Sequence, residues 1–354
     1  MLNTRVLVVD DSVVIRRILT EELSGVPGIG VVDCAATGQI ALAKMNQVTP
    51  DVVILDVEMP EMDGLAILVA LRKNYPRLPV IMFSAVTERG ASATLDALTL
   101  GATDYFTKPS GPGGIEESRR VIREELAPAI GQLCAPKKTV TQSSSQPTLF
   151  GPAPGSRGSR VDVVVIGAST GGPNALTEIF SELPRDLPVP ILIVQHMLPL
   201  FTRYLADRIT TVTKVQVDEA TSGAVVRPGR VLIAPGDFHM VVERDGTQIR
   251  AKLHQEPPEN SCRPAADTLF RSAARVYGAG VLAVVLTGMG QDALRGCEVV
   301  RAAGGQIIVQ DQETSVVWGM PGFVAKAGLA DEVLPQSLIA NGIVSRVRAA
   351  GGQK

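Results

Sequence analysis

The sequence predicts an α/β protein made of two parallel, doubly wound sheets, and three observations predict it. Short β-branched runs alternate with amphipathic helical patterns in both halves of the 354 residues. A chain of that length fits about two domains of roughly 150 residues each. Between the halves, Ala135 to Arg160 is rich in Pro, Ser, Gly and Thr, has no acidic residue after Pro136, and lacks a periodic apolar face. Such a stretch reads as a flexible linker. The expected division is residues 1–130, a linker at 131–160, and a second domain at 161–354.

In the first half, strands are expected at Val6–Val9, Val31–Cys34, Val52–Leu55, Val80–Phe83 and Thr103–Phe106. Helical patterns lie between them; the first has Val14, Ile15, Ile18 and Leu19 on one face after Ser12 as a cap. This is a (βα)5 arrangement. Parallel strands bring their carboxyl ends to one edge, so Asp10, Asp11, Asp56, Ser84 and Lys108 should converge there. Clustered carboxylates repel unless a cation joins them, and hard oxygen ligands suit Mg²⁺. Such a pocket can accept a phosphoryl group on a carboxylate, with the metal and Lys108 balancing its charge and Ser84 bonding an oxygen. Taken singly, each aspartate also reads as a helix cap and Lys108 as a surface charge.

The segments Val8-Val9-Asp10-Asp11-Ser12, Leu55-Asp56-Val57-Glu58-Met59-Pro60, Met62-Asp63-Gly64, Ser84-Ala85 and Lys108-Pro109 closely resemble the receiver domain of two-component response regulators. The resemblance covers about residues 3–130. It implies Asp56 as phosphoacceptor, Asp10, Asp11 and Asp56 with the Val57 carbonyl as Mg²⁺ ligands, and Ser84, Tyr105 and Lys108 as switch residues. It also implies a cis Lys108–Pro109 bond and a histidine kinase as phosphodonor.

The second half opens with Val163–Ile166, then the small-residue turn Gly167-Ala168-Ser169-Thr170-Gly171-Gly172-Pro173, then a helical pattern from Asn174 to Leu183. Strand, tight turn and helix place Ser169 at the carboxyl edge of a parallel strand, where open α/β sheets bind ligands. Further buried strands are expected at Ile191–Val194, Val281–Leu286 and Gln306–Val309, with helices at Pro264–Tyr277 and Gln291–Ala303. Val231–Asp237, His239–Glu243 and Gln248–Lys252 read as an inserted antiparallel hairpin, turning at Asp245-Gly246.

Three of these strands end in chemistry. Ser169 follows the first, His196 the second, and Asp292 lies just beyond Val281–Leu286. A serine hydroxyl needs a base within hydrogen-bond reach, and the base needs a carboxylate to fix its tautomer and offset its charge. Alternatives stand beside this reading. Gly167–Gly172 also suits a nucleotide turn with Ser169 as a cap, although no clean G-x-G-x-x-G is present. Asp292 also reads as a first-turn helix acid, His196 as a structural histidine, and Cys262 as a nucleophile that no strand edge presents.

The segments Ile166–Pro173, Gln195-His196-Met197, Ile233-Ala234-Pro235-Gly236, Arg263-Pro264-Ala265-Ala266-Asp267, Leu286–Gly290 and Gly319-Met320-Pro321 resemble the chemotaxis protein-glutamate methylesterase family, CheB. With the receiver in front, the resemblance spans nearly the whole chain. It implies hydrolysis of glutamate methyl esters on methyl-accepting chemoreceptors, deamidation of receptor glutamines, and regulation by phosphorylation of a receiver that covers the esterase cleft. Ser169, His196 and Asp292 would form the triad, the Thr170 and Met289 amides would hold the oxyanion, and no cofactor would serve the esterase reaction. Two segments depart from the family pattern: Leu198-Pro199-Leu200 replaces a Gly-containing turn, and Ala293-Leu294 replaces Gly-Ala. Runner-up readings are a nucleotide-binding, oxidoreductase-like output domain and a non-catalytic receptor adaptor.

Composition sets further expectations. A formal net charge of -2 argues against a nucleic-acid partner. Cys34, Cys134, Cys262 and Cys297 lack the spacing of a disulfide framework or zinc site, which fits a cytoplasmic protein. Val6–Val9 is the only early apolar run and Asp10-Asp11 ends it, so no signal peptide is expected, and no apolar stretch approaches the roughly 20 residues of a membrane span. Arg263 reads as a guide for an acidic substrate or as a helix-start charge.

Overall fold

The computed structural model describes residues 3–60, 62–85, 87–108, 114–135, 160–213 and 215–349. The chain divides into two compact units, Met1–Thr141 and Gln142–Lys354.

In the first unit, β1 (Thr4–Val9), β2 (Ile29–Ala35), β3 (Val52–Asp56), β4 (Val80–Ala85) and β5 (Asp104–Lys108) form a parallel sheet in the order β2-β1-β3-β4-β5. The central strand β3 is covered on both faces, which is why Val52, Val53, Ile54 and Leu55 form an unbroken apolar run, each at most 1% exposed. Helix Val13–Ser24 begins where expected, with Ser12 Oγ accepting the Ile15 amide at 3.4 Å. The last helix, Ala127–Leu133, continues past residue 131; most of the linker and the Lys108–Pro109 bond lie outside the described residues.

The second unit is a seven-stranded, all-parallel sheet with a separate hairpin. Its strands are β6 (Val163–Ala168), β7 (Ile191–Gln195), β8 (Val217–Glu219), β9 (Val231–Ile233), β12 (Val281–Val285), β13 (Gln306–Gln310) and β14 (Glu332–Leu334). The hairpin pairs β10 (His239–Asp245) with β11 (Gln248–His254) around Gly246, whose φ is 58°. The sheet order is β14-β13-β12-β6-β7-β9-β8. Alternate residues of the inner strands face opposite sides, and both sets are buried, Val163 and Val165 on one face and Val164 and Ile166 on the other. The first face packs on helices Ala266–Tyr277, Leu294–Ala302 and Met320–Lys326 and on the hairpin.

Two local expectations are corrected. Val231–Ile233 belongs to the parallel sheet, in register with Ile191–Ile193, and only the two strands that follow form the hairpin. A three-residue strand is too short for periodicity to assign, and Ala234-Pro235-Gly236 ends it. The helix expected from Gln291 begins at Leu294, because Ala293 adopts a left-handed φ of 75°. Asp292 therefore lies in a turn ahead of the helix. Among the described residues no helix is long and apolar enough to cross a membrane.

Candidate active site and phosphoacceptor pocket

In the first unit the strand ends meet as the parallel topology requires. Asp10 and Asp56 are each 1% exposed, and Lys108 Nζ lies 2.8 Å from Asp10 Oδ2 and 2.6 Å from Asp56 Oδ2. Asp10, Asp11 and Asp56 bring carboxylate oxygens within 4.8 Å of one another, with Asp11 exposed. The remaining oxygens are oriented from the backbone: Ser12 N–H donates to Asp10 Oδ1 and Glu58 N–H to Asp56 Oδ1. Asp10 Oδ2 and Asp56 Oδ2 are buried, and among the described residues Lys108 Nζ is the group that pairs with each of them. Buried oxygens of this kind fit a hard divalent cation.

Burial pushes the Asp56 carboxyl up to about 6, against the Lys108 ammonium that lowers it, and the Asp10 charge adds to the rise. Burial also works against the Lys108 ammonium, but Asp10 and Asp56 outweigh it and raise its pKa. Ser84 is fully buried beside this edge, and Tyr105 is half-buried on β5. The Val57 carbonyl accepts the Gly64 amide at 3.1 Å. A Cβ on Gly64 would collide with the Asp56 carbonyl oxygen, so only glycine lets helix Gly64–Asn74 start this close to the pocket.

In the second unit the sheet grows from β6 through β7 on one side and from β12 through β13 and β14 on the other, so the sheet's switch point lies between β6 and β12. Ser169 leaves the end of β6 at this point. Its amide donates to the Thr287 carbonyl at 3.0 Å, tying its turn to the loop after β12. Thr287 Oγ1 tightens the seam by donating to the Thr170 carbonyl at 2.9 Å. Space beside the serine is close: a Cβ on Gly288 would lie 2.8 Å from Ser169 Cβ.

His196 follows β7, and its Nε2 lies 2.8 Å from Asp292 Oδ2. Asp292 is 2% exposed and accepts the amides of Ala266 at 2.6 Å, Asp267 at 3.0 Å and Ala293 at 2.9 Å. Two of those amides open helix Ala266–Tyr277, so the carboxylate occupies the positive end of a helix. Burial alone would raise Asp292, but the hydrogen bonds from His196 and the amides bring it down to about 2. Burial likewise works against a charged His196, yet Cys262 and Asp292 outweigh it and raise its pKa above the ordinary 6.5. The structure thus brings the His–Asp pair together. Among the described residues no hydrogen bond joins the Ser169 hydroxyl to His196, whose Nδ1 lies 3.4 Å from Cys262 Sγ. Catalytic hydrogen bonds are often long before substrate binds.

Thr170 is buried and Met289 half-buried, and among the described residues no group accepts a hydrogen bond from either amide. His239 is structural: its Nδ1 accepts the Ala265 amide at 3.2 Å. Arg263 is held by Asp237 Oδ1 and by the carbonyls of Gln255 and Glu256, which commits its guanidinium to the fold.

The sequence reading missed three supporting side chains. Gln195 Nε2 donates to the carbonyls of Ser169 at 2.9 Å and His196 at 3.3 Å; its place beside the histidine was the only signal. Asn260 Nδ2 reaches Asp267 Oδ2 at 3.0 Å and Asp292 Oδ1 at 3.2 Å. Buried Asp267, pushed up to about 6 by burial and the Asp292 charge, accepts the Gly296 amide. Nothing in the spacing of Asn260 or Asp267 foretold these contacts.

Comparison with known proteins agrees with this geometry. Residues 164–343 match the CheB methylesterase family model and residues 6–119 the response regulator receiver domain. A protein-glutamate methylesterase/protein-glutamine glutaminase of Trichodesmium erythraeum is 51% identical over 97% of this chain and 99% of its own length. One of the same description from a Nocardioides species is 49% identical over 95% of this chain and 93% of its own. The crystal structure of the Thermotoga maritima CheB methylesterase catalytic domain is 42% identical, covers 53% of this chain and 99% of its own, and superposes with a TM-score of 0.52. These relatives carry the hydrolase reading over the oxidoreductase-like and adaptor alternatives.

Proposed function

Because the chain belongs to the CheB methylesterase family, we propose that it hydrolyses glutamate methyl esters on methyl-accepting chemoreceptors, and deamidates receptor glutamines, through Ser169, His196 and Asp292. The observation that carries the mechanism is the 2.8 Å pairing of His196 Nε2 with Asp292 beside the Ser169 turn. With Nε2 committed to the carboxylate, Nδ1 is the nitrogen left to act as base.

Ser169 Oγ attacks the ester carbonyl while His196 Nδ1 takes its proton. The carbonyl π electrons move to oxygen, and the uncommitted amides of Thr170 and Met289 donate to the resulting oxyanion. Donors of this kind contribute roughly 2.7–4 kcal/mol each. Collapse of the tetrahedral intermediate breaks the bond to methoxide, which leaves as methanol with the proton from Nδ1. Water then attacks the acyl-enzyme, giving its proton to Nδ1, and Ser169 recovers its proton as glutamate departs. Asp292 stays ionised throughout and offsets the imidazolium.

In the receiver unit, Asp56 is the phosphoacceptor and a histidine kinase of the same signalling system the phosphodonor. Asp10, Asp11, Asp56 and the Val57 carbonyl would hold Mg²⁺, which when bound supplies the positive charge that lets the carboxylates ionise together. Lys108 holds charge opposite Asp10 and Asp56, and Ser84 and Tyr105 respond to the phosphoryl group. The setting is the cytoplasm. Release of methanol from methylated receptor membranes, with and without acetyl phosphate, tests the whole reading. Turnover that acetyl phosphate stimulates and that Ser169→Ala abolishes supports it; turnover retained in Ser169→Ala overturns the triad.

A further inference from the structure

Residues 259–262 form a tight turn closed by two reciprocal hydrogen bonds, Glu259 N–H to the Cys262 carbonyl at 3.1 Å and Cys262 N–H to the Glu259 carbonyl at 2.9 Å. Both central residues are left-handed, Asn260 with a φ of 53° and Ser261 with 63°. A two-residue turn of this hand normally recruits Asn-Gly or Gly-Gly; serine in the second place is costly. The fold clamps the turn on both sides. Glu259 pairs with both terminal nitrogens of Arg271 on helix Ala266–Tyr277, at 2.7 and 2.5 Å, and the next residue, Arg263, is tied to Asp237. Backbone strain held this firmly calls for a functional account.

The turn sends two side chains to the His–Asp pair. Asn260 donates to Asp292 Oδ1, and Cys262 Sγ lies on His196 Nδ1, the ring nitrogen that Asp292 leaves open. Both nitrogens of the imidazole are therefore engaged before any substrate arrives, one by a carboxylate and one by sulfur. We propose that Cys262 is a positioning residue for His196: its sulfur holds Nδ1 in the resting site, fixes the ring, and yields the nitrogen to Ser169 when the ester binds. This rests on the triad reading above. The titratable groups that touch the ring are Asp292, from the loop after β12, and Cys262, from the turn. Behind Asp292, helix Ala266–Tyr277 contributes Asp267 and Arg271, and Arg271 is paired with Glu259 of the turn.

The test uses the full chain labelled with ¹⁵N-histidine, whose three histidines are assigned with His239→Gln and His254→Gln variants. Wild-type His196 should titrate above the ordinary range, and Cys262→Ala should move that titration by about one pH unit. The acid limb of kcat/KM for methanol release should move with it, while kcat falls several-fold. Cys262→Ser, whose hydroxyl can hold the same nitrogen, should restore most of kcat. An unmoved His196 titration in Cys262→Ala overturns the proposal, whether or not the rate changes, because a packing role alone would leave the ring's protonation alone. Failure of Cys262→Ser to restore kcat also overturns it. The triad fails by a different result, turnover in Ser169→Ala, and the titration reads the Cys262 contact in either case.

Discussion

Asp292 Oδ2 receives both the His196 ring, at 2.8 Å, and the first amide of helix Ala266–Tyr277, at 2.6 Å. One carboxylate oxygen thus joins the candidate base to the positive end of a helix, and its charge matters to both.

Replacing that charge should separate the two roles. Asp292→Asn keeps the volume but removes the ion that favours imidazolium. We expect kcat for methanol release to fall on the order of 10³–10⁴, as removing the orienting acid does in serine hydrolases. The His196 pKa, raised in part by Asp292, should drop, so the acid limb of the residual activity moves to lower pH. A pH–rate series on wild type and variant checks both.

Ser169→Ala should abolish turnover and leave the fold intact. Ser169 is half-buried, and its backbone, rather than its hydroxyl, makes the bonds to Thr287 and Gln195. The melting temperature should stay within a degree or two of wild type, and methylated receptor should still bind, measured by co-sedimentation with receptor membranes.

Asp56 carries a pH-dependent cost. Its folded pKa, about 6, stands above its unfolded value of 3.8, so the folded state holds the proton more tightly. The cost is absent below the unfolded value, grows as pH rises between the two, and is complete above about 6. Its size is at most about 3 kcal/mol, from the two values at roughly 1.4 kcal/mol per unit. In chelator at neutral pH, Asp56→Asn should therefore melt higher than wild type, and the gap should close toward pH 4. Millimolar Mg²⁺ should raise the wild-type melting temperature more than that of the variant, and acetyl phosphate should label wild type alone. Scanning calorimetry and phosphate incorporation decide the matter.

Two departures from the family pattern fall where glycine would be conformationally free. Leu200 and Ala293 have φ values of 74° and 75°. A non-glycine residue in this region costs roughly 1–2 kcal/mol, set against the small loss of one buried methyl at Ala293. Ala293→Gly should gain a net stability of about 0.5–1 kcal/mol, read as a higher denaturant midpoint. An unchanged or lower midpoint shows that the surrounding packing already offsets the strain.

Much of the candidate site was legible because parallel strands collect their carboxyl ends. Asp10, Asp56, Lys108, Ser169 and His196 each follow or end an apolar run, and that placement is visible in one dimension. Val231–Ile233 escapes assignment because three buried residues carry no period, and its parallel neighbours, Val217–Glu219 and Ile191–Ile193, are 14 and 40 residues earlier. The contacts of Asn260 and Cys262 depend on left-handed backbone at two residues without glycine, which no local signal announces. Asp292 was expected near the site but inside a helix, since an alanine at φ 75° could not be read from its identity.

Helix Ala266–Tyr277 has Ala265 at its N-cap position, with no side-chain cap of its own. Its opening amides are satisfied instead by a residue 26 positions later in the chain. Loss of such a cap costs about 1 kcal/mol. A descendant of this chain that no longer needed its chemistry would still be penalised for giving up the carboxylate, because the architecture leans on it. Persistence of an aspartate at this place in an inactive relative would then mark inherited architecture, and the residue to inspect for surviving chemistry would be the serine.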